Sequence, residues 1–392
     1  METENAHDAA NAARRPGELA IALTGGGARA AYQVGLLVWL ARRFPDLEVP
    51  ILTGVSAGAV NAAHLAAHPG NFRAAVSELA RMWSDLTPED VFRVDTRSLA
   101  GQIGRWAARL TVGGFTRTPT VRGLVDTTPL RRLLEDVLAV AENGEIVGIA
   151  ENLRRGRLKA IAVSTTSYGT GRSVAWAQGR EIHAWERPDR AGIQTALTVD
   201  HIMASAALPI FFPAVRLGDD WHGDGGIRLS APLSPALHLG ASRIIAISTR
   251  HSPSLIEAAT PVTVGYPPPA QVLGVLMSAI FLDVLDQDAL RLERLNRLLR
   301  RLPEDQRDGL RIVDLLVLRP SRDLGRLARD YEPRLPGAFR LLTRSLGTRQ
   351  TLSPDALSMV MFQSDYLRRL IEMGEADAEA RAEEIERFVK GE

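Results

Sequence analysis

Ser56 stands in Gly54-Val55-Ser56-Ala57-Gly58, a G-x-S-x-G that follows the apolar "VPILTG" and opens the helix-like "SAGAVNAAHLAAH". Glycines flanking a serine allow a cramped strand-to-helix turn that presents the hydroxyl to substrate. The N-terminus of the following helix favours negative charge there. One strand earlier, "ELAIALT" runs into Gly25-Gly26-Gly27-Ala28-Arg29-Ala30. Three adjacent glycines expose backbone N–H groups to an anion, either a phosphate or the oxyanion of an ester under attack. A dinucleotide site fits G-x-G-x-x-[GA] and expects an acid at the end of the next strand to hold a ribose. Here Asp46 and Glu48 precede that strand, and its end is taken by Ser56. Adjacent βα loops of a parallel sheet emerge on one edge, so serine and glycine amides can face each other, as acyl transfer requires. The oxyanion reading is preferred; a nucleotide-binding module is the alternative.

A serine nucleophile needs a base. The histidines are His7, His64, His68, His183, His201, His222, His238 and His251, and none has a compelling setting. His64 and His68 fall on the helix after the serine and read as packing or surface residues. His222 and His238 are the histidine alternatives. Asp224, in "WHGDGGIRLSAP", is the better candidate, flanked by Gly223, Gly225 and Gly226. Taken alone, it is also a plain Asp-Gly turn.

The elements that must position these residues follow a βαβα rhythm. "ELAIALT", "VPILTG", "LKAIAVSTTS" and "RIIAIST" read as buried strands, and "ARAAYQVGLLVWLARRF" as a helix with Val34, Leu37, Val38 and Ala41 on one face. Pro69 and Gly70 end the helix after Ser56. Such alternation implies a largely parallel sheet with helices on both faces. "SVAWAQG" and "AVRLGDDWHGDGG" read as antiparallel additions. The segment 85–128, rich in Thr, Arg and Gly, reads as a lid or surface excursion, and residues 251–392 as mostly helical, with one strand near 311–318.

The chain has 392 residues, 45% hydrophobic, with a formal net charge of +1. That charge gives no global pull towards nucleic acid or anionic membrane. The absence of cysteine excludes disulfides and thiolate metal sites. The first 17 residues are polar and read as a disordered tail rather than a signal peptide. "VLGVLMSAIFL" (272–282) is too short to span a bilayer. The expected location is cytoplasmic, with peripheral membrane contact left open.

Taken together, the glycine loop with Arg29, the G-x-S-x-G, "ASAALP" from Ala204 to Pro209 and Asp224-Gly225-Gly226 resemble the motifs of the patatin-like phospholipases, in that family's order. The resemblance covers about residues 18–249. Ala30 departs from the pattern, where the family often has glycine. The resemblance implies a three-layer α/β/α domain with a mainly parallel sheet over 18–250, followed by a helical extension. It implies a Ser56–Asp224 dyad without histidine and an oxyanion hole from Gly25, Gly26 and Gly27, with Arg29 bracing the loop or adding charge. Gly54, Gly58, Gly225 and Gly226 would be the motif glycines. It further implies hydrolysis of acyl lipids, phospholipids above all, at an interface and with no cofactor or metal. An acyltransferase or thioesterase using the same dyad is the closest alternative. A homo-oligomer is left open, and nucleic acid is not an expected partner.

Overall fold

The computed structural model describes residues 18–93, 123–259, 266–335 and 355–392. The expected tail over 1–17 and residues 94–122 of the expected excursion lie outside the described residues. Among the described residues ten strands make one sheet: β1 (Leu19–Leu23), β2 (Ile51–Val55), β3 (Ala160–Ser167), β4 (Ser173–Gly179), β5 (Trp185–Arg187), β6 (Arg190–Gln194), β7 (Val215–Leu217), β8 (Asp220–Asp224), β9 (Arg243–Ile247) and β10 (Asp314–Leu318). The order is β10-β9-β1-β2-β3-β4-β6-β5, parallel from β10 to β3. The "SVAWAQG" strand, β4, joins antiparallel to β3, and β7 and β8 form an antiparallel hairpin through Gly218.

Residues of the central strands alternate between two cores, as the period of two requires. Leu19, Ile21 and Leu23 of β1 face one cluster, and Ala20 and Ala22 face the other. The helices used below are α1 (Ala30–Arg43), α2 (Ala57–Ala67), α3 (Val199–Ser205), α4 (Ser234–His238), α5 (Pro269–Phe281), α6 (Val284–Leu299), α7 (Asp355–Val360) and α8 (Ser364–Ala380). The first cluster is shared with α1, α2 and α8, the second with α4 and α6, so the sheet is covered on both faces.

Helix α1 differs from its expected single apolar face. Val34, Leu37 and Ala41 are buried, but so are Leu36, Trp39 and Leu40. The cause is α8, which packs along its outer side. A Cβ on Gly35 would lie 2.0 Å from the Ile371 carbonyl oxygen, and one on Gly374 2.2 Å from that of Tyr32. Two glycines thus let the helix backbones approach closely. Trp39 Nε1 donates to Glu379 at 2.5 Å and the Tyr32 hydroxyl to Asp377 at 2.9 Å. The C-terminal helices therefore form part of the wall around the first βα unit.

One feature of the sheet positions the site. The same edge of β3 carries β2 along residues 160–164 and β8 along 165–167. Val55 is the partner of Ser164, and Asp224 is the partner of Thr165. Two strands running in opposite directions thus end nose to nose on consecutive residues of β3.

Candidate active site

Ser56 follows directly on β2 with φ 56 and ψ −133, a positive φ that a residue with a side chain rarely adopts. Strain of this kind costs about 1–3 kcal/mol and persists only when surroundings enforce it. Gly54 and Gly58 permit the turn. A Cβ on Gly54 would lie 2.5 Å from the Gly58 carbonyl oxygen, and one on Gly58 2.4 Å from that of Leu23.

The Ser56 hydroxyl donates to Asp224 Oδ2 at 2.6 Å. Asp224 Oδ1 accepts from the Gly226 N–H at 2.9 Å, and its backbone oxygen accepts from Thr166 Oγ1 at 2.8 Å. Asp224 is wholly buried. Burial raises its pKa from 3.8 to about 7, against the lowering effect of the bonds from Ser56 and Gly226. Gly225 leaves space for the strand beside it, since a Cβ there would lie 2.1 Å from the Ser164 carbonyl oxygen.

Among the described residues, no histidine bonds the Ser56 hydroxyl. His222 turns its Nδ1 to Thr165 Oγ1 at 3.0 Å, and His238 stacks flat on Trp185 with ring centroids 4.4 Å apart. His64 is buried against the Ala75 carbonyl, and His68 pairs with Glu78.

The glycine loop arrives from β1 on the same edge. Gly25 is next to the serine, for a Cβ there would lie 3.0 Å from Ser56 Cβ. Gly26 and Gly27 have φ of 144 and 57, the region glycine occupies at least cost. Their N–H groups meet no acceptor among the described residues. Ala30, the departure from the motif, is the first residue of α1 and fully buried.

Arg29 is expected to brace the loop or add charge there. Its guanidinium makes no bond to the glycine loop and turns instead into α7, where Nε donates to Ser358 Oγ at 2.6 Å and Nη2 pairs with the Asp355 carboxylate. Arg29 is 2% exposed, while the Asp355 side chain of this ion pair keeps 27% of its surface in water. Asp355 also accepts from Ser278 of α5 at 3.0 Å. Arg29 thus holds down the segment that covers the loop. A Cβ on Gly27 would lie 2.0 Å from the Met359 carbonyl oxygen.

A narrow apolar cavity opens beside Ser56, walled by Val60, Trp83, Leu130, Leu208, Met359 and Phe362. Leu208 comes from the "ASAALP" stretch and Phe212 from the run after it. Sequence reasoning missed Met359 and Phe362, which lie about three hundred residues from Ser56 with no local signal. It also missed Ser205, whose hydroxyl accepts the Ser56 N–H at 3.0 Å. There a signal existed, since Ser205 is the serine of the A-S-x-A-x-P stretch. Among the described residues, no group of three or more His, Asp or Glu is disposed to hold a metal, and no helix is long and apolar enough to cross a membrane.

A mainly parallel sheet, helices on both faces and a strained serine-bearing turn at the carboxyl ends of its strands define an α/β protein with a strand–serine–helix turn at its sheet edge. The profile described as Patatin-like phospholipase matches residues 21–237, more than half of the chain, and the chain belongs to that family. Comparison with curated proteins finds no match. Among solved structures, human GIVD cytosolic phospholipase A2 is similar at 12% identity and a TM-score of 0.47, over 95% of this chain and 60% of that one. VipD from Legionella pneumophila is similar at 11% identity and a TM-score of 0.32, over 91% and 67% of the two chains. The ExoU–SpcU complex of the Pseudomonas aeruginosa type III secretion system gives 17%, 0.27, 95% and 76%. The chain thus spans 60% of the length of the human phospholipase.

Proposed function

We propose that the protein hydrolyses carboxylic esters of acyl lipids through a Ser56–Asp224 dyad. The observation that carries this is the 2.6 Å hydrogen bond from a strained serine to a wholly buried carboxylate. Asp224 takes the Ser56 proton as Oγ attacks the acyl carbon. The N–H groups of Gly26 and Gly27 hold the negative charge that develops on the carbonyl oxygen. Asp224 passes the proton to the departing alcohol, leaving an ester on Ser56. Water then attacks that ester, giving up a proton to Asp224, and the fatty acid leaves as Ser56 regains its hydrogen. A base with a pKa near 7 is matched to work at neutral pH. Activity should accordingly rise with pH through about 7 and level off above it.

The apolar cavity beside Ser56 supports an acyl chain as the bound part of the substrate. Contact with a lipid surface is supported by α5. Residues 266–282 carry no charge, and Val272, Val275 and Leu276 are exposed on one face while Phe281 lies against Gly226.

A fluorophosphonate probe should label wild type on the peptide containing Ser56 and leave Ser56→Ala unlabelled. Release of fatty acid from phosphatidylcholine vesicles should disappear in the same variant. Unchanged turnover in Ser56→Ala would refute the mechanism. Leu276→Asp should weaken co-sedimentation with those vesicles and leave hydrolysis of a soluble ester intact; undiminished co-sedimentation would remove α5 from the lipid contact.

A further inference from the structure

Both members of the dyad are gripped through their backbones by one short segment. The Ser56 N–H donates to Ser205 Oγ at 3.0 Å, and the Asp224 N–H donates to the Ala207 carbonyl at 3.1 Å. The Ser205 hydroxyl spends its own proton on the Ser164 carbonyl at 2.7 Å. Ser164 is the β3 residue opposite Val55, and its carbonyl is the atom against which Gly225 packs. Ser205 is completely buried at the C-terminal end of α3. Its hydroxyl therefore has a fixed direction: it accepts from the nucleophile and donates to β3, the strand on which β2 and β8 meet.

From this we infer that Ser205 is a positioning residue, and that 205–207 acts as a two-point clamp fixing the approach of Ser56 to Asp224. The inference rests on the dyad reading above. The physical need for a clamp is plain. Ser56 has an unfavourable φ, and its neighbours Val55 and Ala57 end one element and begin another. No ladder hydrogen bond continues through the serine. Asp224 lies where β8 stops and a short 3-10 turn begins. The β3 register brings the two strand ends together, but the β2 ladder stops at Val55, one residue short of the nucleophile, and small misplacement of reacting groups costs rate steeply. A further consequence concerns the oxyanion. With its N–H held by Ser205, Ser56 cannot offer that amide to the substrate, so stabilisation falls to Gly26 and Gly27 and to the start of α2.

The test compares Ser205→Ala, Ser205→Cys and Ser205→Thr with wild type, at temperatures where each is fully folded. Cysteine keeps the side-chain volume and removes the good hydrogen bond; threonine keeps the hydroxyl. Labelling of Ser56 by the fluorophosphonate should slow at least tenfold in the alanine and cysteine variants, with KM for a soluble ester little changed. Threonine should stay within about threefold of wild type. The pH at half-maximal labelling should move upward in Ser205→Cys, because a looser Ser56 bond no longer helps hold the Asp224 charge. Should Ser205→Ala not fold, Ser205→Cys carries the test. Wild-type labelling rate and pH midpoint in Ser205→Cys overturn the clamp, whatever the melting temperature does. Labelling that survives Ser56→Ala overturns the dyad instead, so the two failures are distinct.

Discussion

Replacing Asp224 by asparagine should stabilise the protein at alkaline pH while disabling it. The carboxyl makes two hydrogen bonds, from Ser56 and from the Gly226 N–H, and an amide can occupy the same space with its oxygen towards Gly226. What the substitution removes is a buried charge. In the unfolded chain the carboxyl titrates at 3.8; in the folded protein burial raises this to about 7. Between those values the folded chain holds a proton that the unfolded chain has lost. Stability is therefore full below pH 3.8, falls as pH rises, and is flat above about 7. Three pKa units at about 1.4 kcal/mol each make the total loss about 4 kcal/mol. Asparagine does not titrate, and every other group contributes equally to both proteins. The stability of Asp224→Asn minus that of wild type should grow from near zero at pH 4 to about 4 kcal/mol at pH 8. Urea unfolding across this range, followed by circular dichroism, measures it. Ester hydrolysis by the variant should drop about 10²–10⁴-fold, the scale of a lost general base. Two stability curves that stay parallel from pH 4 to 8 would refute the claim that Asp224 carries a buried, costly charge.

Two further substitutions probe the glycine loop and its cover. Gly26→Ala puts a Cβ 2.4 Å from Thr249 Oγ1 at a φ of 144, so the loop must shift; kcat should fall about 10²–10³-fold with a much smaller rise in KM. Equal Ser56 labelling rates in this variant and wild type would mean the amides do not serve the serine. Asp355→Ala leaves the buried Arg29 guanidinium and Ser278 without their shared acceptor and should cost about 1–3 kcal/mol in urea unfolding, with Asp355→Glu recovering part of it.

The backbone strain at Ser56 and the burial of Asp224 are both unfavourable in isolation. They persist because glycines at 54, 58, 225 and 226 let strands and helix crowd around them. The fold thus spends stability to hold a hydroxyl and a carboxylate at hydrogen-bond distance with water excluded.

The sequence by itself determined what is local. Apolar runs broken by glycine gave the strands, the order of βα units gave a largely parallel sheet, and the glycine spacing around Ser56 gave the elbow turn. These are readable because each depends on residues within a few positions of one another. Asp224, by contrast, reads locally as an ordinary Asp-Gly turn. Its meeting with Ser56, 168 positions away in sequence, is decided by the register of β3, which seats Val55 and Asp224 on consecutive residues. Burial of α1 along its outer side, at Leu36, Trp39 and Leu40, came with α8, whose contribution no pattern within α1 records. The same holds for Arg29, whose charge at the head of α1 is compatible with several partners. Only the path of the chain brings Asp355 and Ser358 to it, 326 and 329 positions on, and so lays Met359 over the glycine loop. Periodicity and turn chemistry act over a few residues. The partner of a buried charge is fixed by where the chain returns, and that belongs to the tertiary structure alone.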